Sequence, residues 1–133
     1  MYQRTSTILV VEDEEDVRRL LVRSLEGVNL DVVEAADGER GLQAARRLAS
    51  SLKLVVTDIN MPVMSGLEFA REFRPSQPRV PILFITGLDS RTASVEADRL
   101  GGELLIKPFG PEVFLETVTR ILAQARVGTR SLA

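Results

Sequence analysis

Short apolar runs alternate with amphipathic patterns along the chain. Five runs rich in β-branched and other apolar residues predict strands at about residues 7–11, 31–35, 54–57, 80–85 and 104–106. Between them, apolar positions three and four residues apart predict helices at about residues 14–26, after Asp37, at 67–73, at 90–100 and from Pro111 onward. The sequence therefore predicts five successive β–α units.

Individual residues refine the boundaries of these elements. Gly27 is placed to end the first helix, Asp37 to cap the second and Pro75 to end the third. The second strand is more polar than the others, so we expect it near an edge of the sheet. The residues expected on the inner face of the first helix are Val17, Leu20, Leu21, Ser24 and Leu25. The fourth helix has only a thin apolar stripe, formed by Ala93, Ala97 and Leu100.

Repeated β–α units predict an α/β fold in which a parallel sheet carries helices on both faces, because right-handed crossovers distribute them that way. We expect the strand order 2-1-3-4-5 of the flavodoxin-like, doubly wound (βα)5 three-layer sandwich. In this order the chain reverses direction between strands 1 and 3, and a crevice opens where these strands end. We expect residues 1–133 to form a single domain, with its core at about 7–126 and a loose tail at 127–133.

Composition limits the chemistry available to the chain. Its 133 residues are 44% hydrophobic and 27% charged, with a net charge of −2, as in an ordinary soluble globular protein. A nucleic-acid surface is therefore not expected, and Arg18, Arg19, Arg46 and Arg47 are interpreted as solvated helix residues. No apolar run is long enough to span a membrane, and the absence of cysteine fits a cytoplasmic protein. The absence of histidine excludes a histidine base, a histidine-ligated metal and a phosphohistidine carrier.

Three acidic residues follow two of the buried strands. Glu12 and Asp13 come directly after the first strand, and Asp58 follows the third. Taken singly, the first two could mark the start of a helix, and Asp58 could cap a turn. Together they would repel one another, by roughly 3 kcal/mol for two carboxylates about 5 Å apart at an effective dielectric constant of about 20. A divalent cation reverses this repulsion, and oxygen ligands without histidine suit Mg²⁺, so the cluster predicts a magnesium site.

Two further strands end in polar residues at the same edge. The fourth strand ends near Thr86, and Lys107 follows the fifth. Each has an ordinary interpretation, since threonine is common in strands and a strand-end lysine is often merely solvated. A metal ion, a hydroxyl and an ammonium group around a carboxylate would neutralise the three oxygens of a phosphoryl group. This arrangement would leave Asp58 free to attack phosphorus.

The combination resembles the receiver domain of two-component response regulators over about residues 7–125. The matching segments are Val-Val-Glu-Asp-Glu-Glu at 10–15, Asp-Ile-Asn-Met-Pro-Val-Met-Ser-Gly at 58–66, Thr-Gly at 86–87 and Lys-Pro-Phe at 107–109. The resemblance implies that Asp58 accepts a phosphoryl group from the phosphohistidine of a sensor histidine kinase or a histidine phosphotransfer protein. The domain would then switch a surface that binds a downstream protein, without acting as an enzyme on other molecules. Nucleic acid and membrane are not expected as partners.

The resemblance also assigns roles around Asp58. It implies that Asp13 binds Mg²⁺ directly, that Glu12 assists through water and that the backbone carbonyl of Asn60 supplies another ligand. Thr86 and Lys107 would hold the phosphoryl oxygens. The peptide bond between Lys107 and the following proline is expected to be cis.

Two residues depart from the family pattern. Glu12 stands where aspartate is commoner, and its longer side chain can still reach a metal-bound water. Leu104 stands three residues before the lysine, where many receivers carry tyrosine or phenylalanine. We therefore expect phosphorylation to be intact and its readout, through the Thr86 loop and the fourth helix, to be altered.

The sequence leaves two other classes open. A pure interaction module would keep the fold without phosphoryl turnover, which Leu104 favours and the complete set of acids, threonine and lysine disfavours. An aspartyl-phosphate phosphatase would place Asp-x-Asp after the first strand, and a flavin carrier would place a phosphate-binding loop there; the chain has neither. We expect a stand-alone regulator, because the chain begins at Met1, with a receiver excised from a hybrid kinase as the alternative.

Overall fold

The computed structural model describes residues 6–87 and 91–132, with side chains as far as Ala125. Strands and helices alternate along this part of the chain. The strands are β1 Thr7–Val11, β2 Asp31–Ala35, β3 Leu52–Asp58, β4 Ile82–Thr86 and β5 Gly102–Ile106. The α-helices are α1 Glu15–Ser24, α2 Gly38–Leu48, α3 Gly66–Phe73, α4 Arg91–Arg99 and α5 Pro111–Leu132, and a short 3-10 helix at Ala49–Ser51 precedes β3.

The strands form one parallel sheet in the order β2-β1-β3-β4-β5. The predicted fold class and strand order are confirmed, and β2 lies at an edge as its polar sequence predicts. Val11 of β1 pairs with Thr57 of β3, and Asp58 pairs with Ile85 of β4. This register brings the ends of the three central strands to one edge of the sheet, where α/β folds of this type bind ligands.

The central strands contribute side chains to two cores, one on each face of the sheet. In β1, Leu9 and Val11 pack on the side of α2 and α3, whereas Ile8 and Val10 pack on the side of α1 and α5. All four side chains are fully buried. Because both faces of the strand are covered, it contains no alternating polar positions.

The boundaries of α1 differ from the prediction. The helix ends at Ser24, and Leu25 donates its N–H to Val22 in a tighter turn, so Gly27 does not end it. Leu20 is 63% exposed, and its predicted place on the inner face is wrong. Leu21 and Leu25, predicted for the same face, are buried as expected.

The start of α2 and the end of α3 agree better with the sequence, whereas the end of α5 does not. Asp37 caps α2 as predicted, since its side chain accepts a hydrogen bond from the N–H of Arg40 at 2.8 Å. Helix α3 ends at Phe73, shortly before Pro75. The backbone of α5 stays helical to Leu132, whereas the sequence predicts a loose tail from residue 127. Gly128 costs about 1 kcal/mol in a helix interior, which does not suffice to end this one.

Helix α4 buries few side chains, as its thin apolar stripe predicts. Within its span, Ala97 is fully buried, and Ala93 and the following Leu100 pack only partly against the core. The residue predicted to start it, Ser90, lies outside the described residues. Among the helices described, none combines the length and the apolar character needed to cross a bilayer.

Candidate functional site

The ends of β1 and β3 bring together the three predicted acids. One carboxylate oxygen from each of Glu12, Asp13 and Asp58 lies within 4.8 Å of the other two. Glu12 is fully buried and Asp58 is 4% exposed, so bulk water screens little of their repulsion. The predicted clustering of these acids at one edge is confirmed.

Burial dominates the electrostatics of Glu12. It raises the pKa of the Glu12 carboxyl from 4.5 to about 8, with further contributions in the same direction from the charge of Asp58 and from Asp13. The N–H of Glu14, which donates to Glu12 Oε2 at 3.0 Å, and the cation of Lys107 lower this pKa. Without another cation, the cluster therefore favours a proton on Glu12.

Two oxygens of the cluster are suited to bind a metal ion. Glu12 Oε1 and Asp13 Oδ1 are buried and, among the described residues, have no hydrogen-bond donor. An unsatisfied buried carboxylate oxygen is energetically costly, and a hard divalent cation satisfies several such oxygens at once. The donor set contains oxygen only, as Mg²⁺ prefers, so the residues present fit this ion.

Lys107 directly follows β5, and its side chain reaches the acid cluster. Its Nζ atom lies 3.8 Å from Asp58 Oδ2, and its backbone N–H donates to the carbonyl of Thr86 at 2.8 Å. The peptide bond from Lys107 to Pro108 is cis, as the family resemblance implies. The structure thus brings the predicted lysine to the predicted acids.

Asn60 connects Asp58 with Thr86. The Asn60 N–H donates to Asp58 Oδ1 at 3.2 Å, and its side-chain amide donates to Thr86 Oγ1 at 3.3 Å. Thr86 is only 2% exposed, although it stands at the end of β4. All six residues predicted for the site therefore lie at the same edge of the sheet, and the ligand role of the Asn60 carbonyl stays a prediction.

Gly66 has a role at the site that sequence reasoning did not assign. A Cβ atom added at this position would lie 2.1 Å from the carbonyl oxygen of Asp58, and the Gly66 N–H donates to the carbonyl of Ile59 at 2.9 Å. A capping box between Ser65 and Glu68 starts α3 at this point. The first turn of α3 is thus packed directly on the backbone of Asp58, which only glycine permits.

Arg18 contradicts its interpretation as a solvated residue. Its side chain is 17% exposed, compared with 62% for that of Arg19. Its Nη1 donates to the backbone carbonyl of Glu12 at 2.8 Å, and its Nε donates to Glu34 Oε1 at 3.1 Å. A residue of α1 therefore binds the backbone between two members of the acid cluster.

Comparisons with known proteins agree with this geometry. The family model of the response regulator receiver domain matches residues 8–119. The chain is 42% identical over 120 residues to the uncharacterized transcriptional regulatory protein YrkP of Bacillus subtilis (strain 168), covering 90% of this chain and 49% of YrkP. It is 35% identical over 120 residues to the sensor kinase CckA of Brucella abortus (strain 2308), covering 89% of this chain and 13% of CckA.

A solved structure gives the same result for the fold. The chemotaxis response regulator CheY4 of Vibrio cholerae matches with a TM-score of 0.79 and 32% identity, over 88% of this chain and 98% of that one. The chain spans about half the length of YrkP and a smaller part of CckA. The similarity to these two longer proteins is thus a similarity to one part of each.

Proposed function

The chain belongs to the response regulator receiver domains of two-component signalling, and we propose that it accepts a phosphoryl group on Asp58 in a Mg²⁺-dependent transfer. Receiver domains are signalling domains that take phosphoryl groups from histidine kinases. We propose a sensor histidine kinase or a histidine phosphotransfer protein as the donor. The observation that carries the proposal is the convergence of three carboxylates and Lys107 at one buried edge of the sheet.

In the proposed step, a carboxylate oxygen of Asp58 attacks the phosphorus of a phosphohistidine. The new O–P bond forms an acyl phosphate, the P–N bond breaks, and its electron pair returns to the imidazole of the donor. Asp58 is held for this attack by the N–H of Asn60 and by the nearby Lys107. Its 4% exposure limits competing contact with water.

Charge neutralisation around the phosphoryl group is shared among several groups. Lys107 supplies a cation next to Asp58 Oδ2, and Thr86 supplies a hydroxyl at the end of β4. Asp13 and Asp58 would hold Mg²⁺ directly, Glu12 would assist through water, and the carbonyl of Asn60 would supply a further ligand. When bound, Mg²⁺ supplies positive charge to the carboxylates and to the phosphoryl oxygens.

The switch that we propose begins at Thr86. The Thr86 hydroxyl oxygen accepts a hydrogen bond from the side-chain amide of Asn60, and its O–H can donate to a charged phosphoryl oxygen on Asp58. This charge-assisted bond is stronger than the bond from the neutral amide, so phosphorylation would draw the Thr86 hydroxyl toward Asp58. Helix α4 follows Thr86 in the chain and has few fully buried side chains. A weakly packed element is easily displaced, so α4 is the segment through which phosphorylation would change a protein-binding surface.

Intact mass measurement tests the phosphoacceptor assignment. We expect incubation with Mg²⁺ and acetyl phosphate to add about 80 Da, the mass of one phosphoryl group replacing a proton. Chelating the metal or introducing Asp58→Ala should abolish the gain. Asp31→Ala is the matched control, because it removes an exposed acid at the opposite end of the sheet and should leave the gain unchanged. An unchanged mass of the parent chain would contradict the proposal.

A further inference from the structure

Arg18 lies close to the acid cluster, and the proposed function leaves it without a role. Its guanidinium group contacts two acceptors, the carbonyl oxygen of Glu12 at 2.8 Å and the carboxylate of Glu34 at 3.1 Å. We propose that Arg18 is a positioning residue, which fixes the peptide between Glu12 and Asp13 so that both carboxylates face the bound cation. This inference rests on the proposed function, because it concerns the same metal site.

The contacts of Glu12 explain how positioning would work. Its N–H donates to the carbonyl of Ala35 in β2 at 3.0 Å, and its carbonyl accepts from Arg18, which is itself paired with Glu34 of β2. Both polar groups of the Glu12 backbone are therefore connected to the edge strand, one directly and one through Arg18. The carbonyl of Glu12 belongs to the peptide that joins it to Asp13, so rotating this peptide would turn both carboxylates.

The charge of Arg18 cannot by itself favour a metal ion. A guanidinium beside a cation site repels the cation, and the ion pair with Glu34 offsets this repulsion. The pair thus adds geometric constraint at little cost in local charge. The planar fork of arginine suits this task, since it donates in two directions at once, whereas the ammonium group of lysine has no such fixed geometry.

Substitutions of Arg18 can separate a positioning effect from an electrostatic one, because the two effects predict opposite changes in Mg²⁺ affinity. Arg18→Ala removes a positive charge and leaves Glu34 unpaired, so a purely electrostatic effect would strengthen Mg²⁺ binding. Loss of positioning predicts the opposite, a weakening of about tenfold, as is usual when an outer partner of a metal ligand is removed. Arg18→Lys preserves the charge but loses the fork, so positioning predicts that it too binds Mg²⁺ more weakly.

The experiment is a titration with Mg²⁺ alone, followed through the amide chemical shifts of the ¹⁵N-labelled protein, with unfolding free energies measured in parallel. Arg19→Ala is the matched control, since Arg19 is exposed and forms an ion pair with Glu15 of the same helix. The dissociation constant of this variant for Mg²⁺ should stay within about twofold of the parent value. We expect Arg18→Ala and Arg18→Lys to bind Mg²⁺ more weakly than this control while folded.

The possible results distinguish the inference from the function on which it rests. An Mg²⁺ affinity of the two Arg18 variants equal to or higher than that of Arg19→Ala would overturn the positioning role. If Arg18→Ala does not fold, Arg18→Lys decides the question by the same criterion. A parent chain without saturable Mg²⁺ binding would overturn the proposed function itself.

Discussion

Lys107 Nζ lies 3.8 Å from Asp58 Oδ2, so the proposed phosphoacceptor, at the end of β3, and a cation that follows β5 lie side by side. The Lys107 cation acts in opposite ways on Mg²⁺ binding and on phosphoryl transfer. It competes with Mg²⁺ for the negative charge of the cluster, and it stabilises negative charge that develops on the phosphoryl group.

Lys107→Met should therefore separate metal binding from phosphorylation. We expect Mg²⁺ affinity to rise by about threefold to tenfold, since a competing cation is removed, and the phosphorylation rate at saturating Mg²⁺ to fall by about tenfold or more. Metal titration and time-resolved intact mass measure the two effects. Lys53→Met, which changes the other lysine of the chain in an exposed position, should alter neither. A parallel fall in affinity and rate would argue against this division.

Glu12 should make the stability of the metal-free protein depend on pH. Its pKa is about 8 in the folded state and near 4.5 in the unfolded chain, so between these values the folded state retains a proton that the unfolded state has released. The resulting stabilisation of the folded state is complete below pH 4.5. It decreases as the pH rises from 4.5 and is lost once the pH has risen through 8, by up to about 1.4 kcal/mol per pH unit.

The free energy of unfolding, measured by urea denaturation with a chelator at several pH values between about 5 and 8, checks this dependence. This range covers most of the interval between the two pKa values of Glu12. The chain has no histidine that would titrate in this range. Glu12→Gln retains the size of the side chain and should flatten the slope, as should saturating Mg²⁺ in the parent protein. Equal slopes for the parent and Glu12→Gln without metal would show that Glu12 is not the source.

Gly66→Ala should disturb both folding and the site. The added methyl group would meet the carbonyl oxygen of Asp58 at 2.1 Å, so the backbone must shift, at a cost of about 1–3 kcal/mol. Because this backbone carries the phosphoacceptor, we also expect slower phosphorylation at a fixed Mg²⁺ concentration. In Gly27→Ala the new methyl group has no atom of the described residues within 4 Å, and the stability of this variant should match that of the parent within about 0.5 kcal/mol. Equal stabilities of the two variants would refute the close packing.

Arg74 should stabilise the side of the domain that carries α4. Its guanidinium donates to the carbonyl groups of Leu100, Gln77 and Val80, at 2.9, 3.0 and 2.7 Å. Arg74→Ala leaves these acceptors without that donor and should lower the free energy of unfolding by about 2–4 kcal/mol. Arg71→Ala removes an exposed ion pair to Glu96 and should lower the free energy of unfolding by less than about 1 kcal/mol. Chemical denaturation measures the free energy of unfolding of both variants. Equal decreases in the two variants would contradict the stabilising role of Arg74.

The alternation of strands and helices could be predicted from sequence because it follows from local patterns. The strand order and the acid cluster then follow from the doubly wound arrangement expected of repeated β–α units. Because a buried strand ends in Asp58, this residue lies at the edge of the sheet whatever the positions of the other strands. Arg18 could not be assigned in this way, since helical periodicity does not distinguish it from Arg19. The difference arises from Glu34, which lies 16 positions away in the chain and beside Arg18 only in the folded sheet.

Gly66 and Leu20 show the same limit at other points. A glycine after Met-Pro predicts a turn, but its close contact with the Asp58 backbone depends on how α3 meets β3. Leu20 fits the apolar spacing of α1, yet it is 63% exposed, whereas Leu21 and Leu25 are buried. Patterns predict which elements form, whereas the contacts between elements decide which of several equivalent positions is buried.

Direct identification of the phosphorylated residue tests the central claim. After reaction with acetyl phosphate and Mg²⁺, borohydride reduces an acyl phosphate to an alcohol and so marks its position permanently. Trypsin then separates the candidates, since cleavage after Lys53 and Arg71 releases Asp58, whereas cleavage after Arg4 and Arg18 releases Glu12 and Asp13. We predict that mass spectrometry finds the mark on Asp58 alone and only when Mg²⁺ is present. A mark on Glu12 or Asp13, or none on Asp58, would contradict the account.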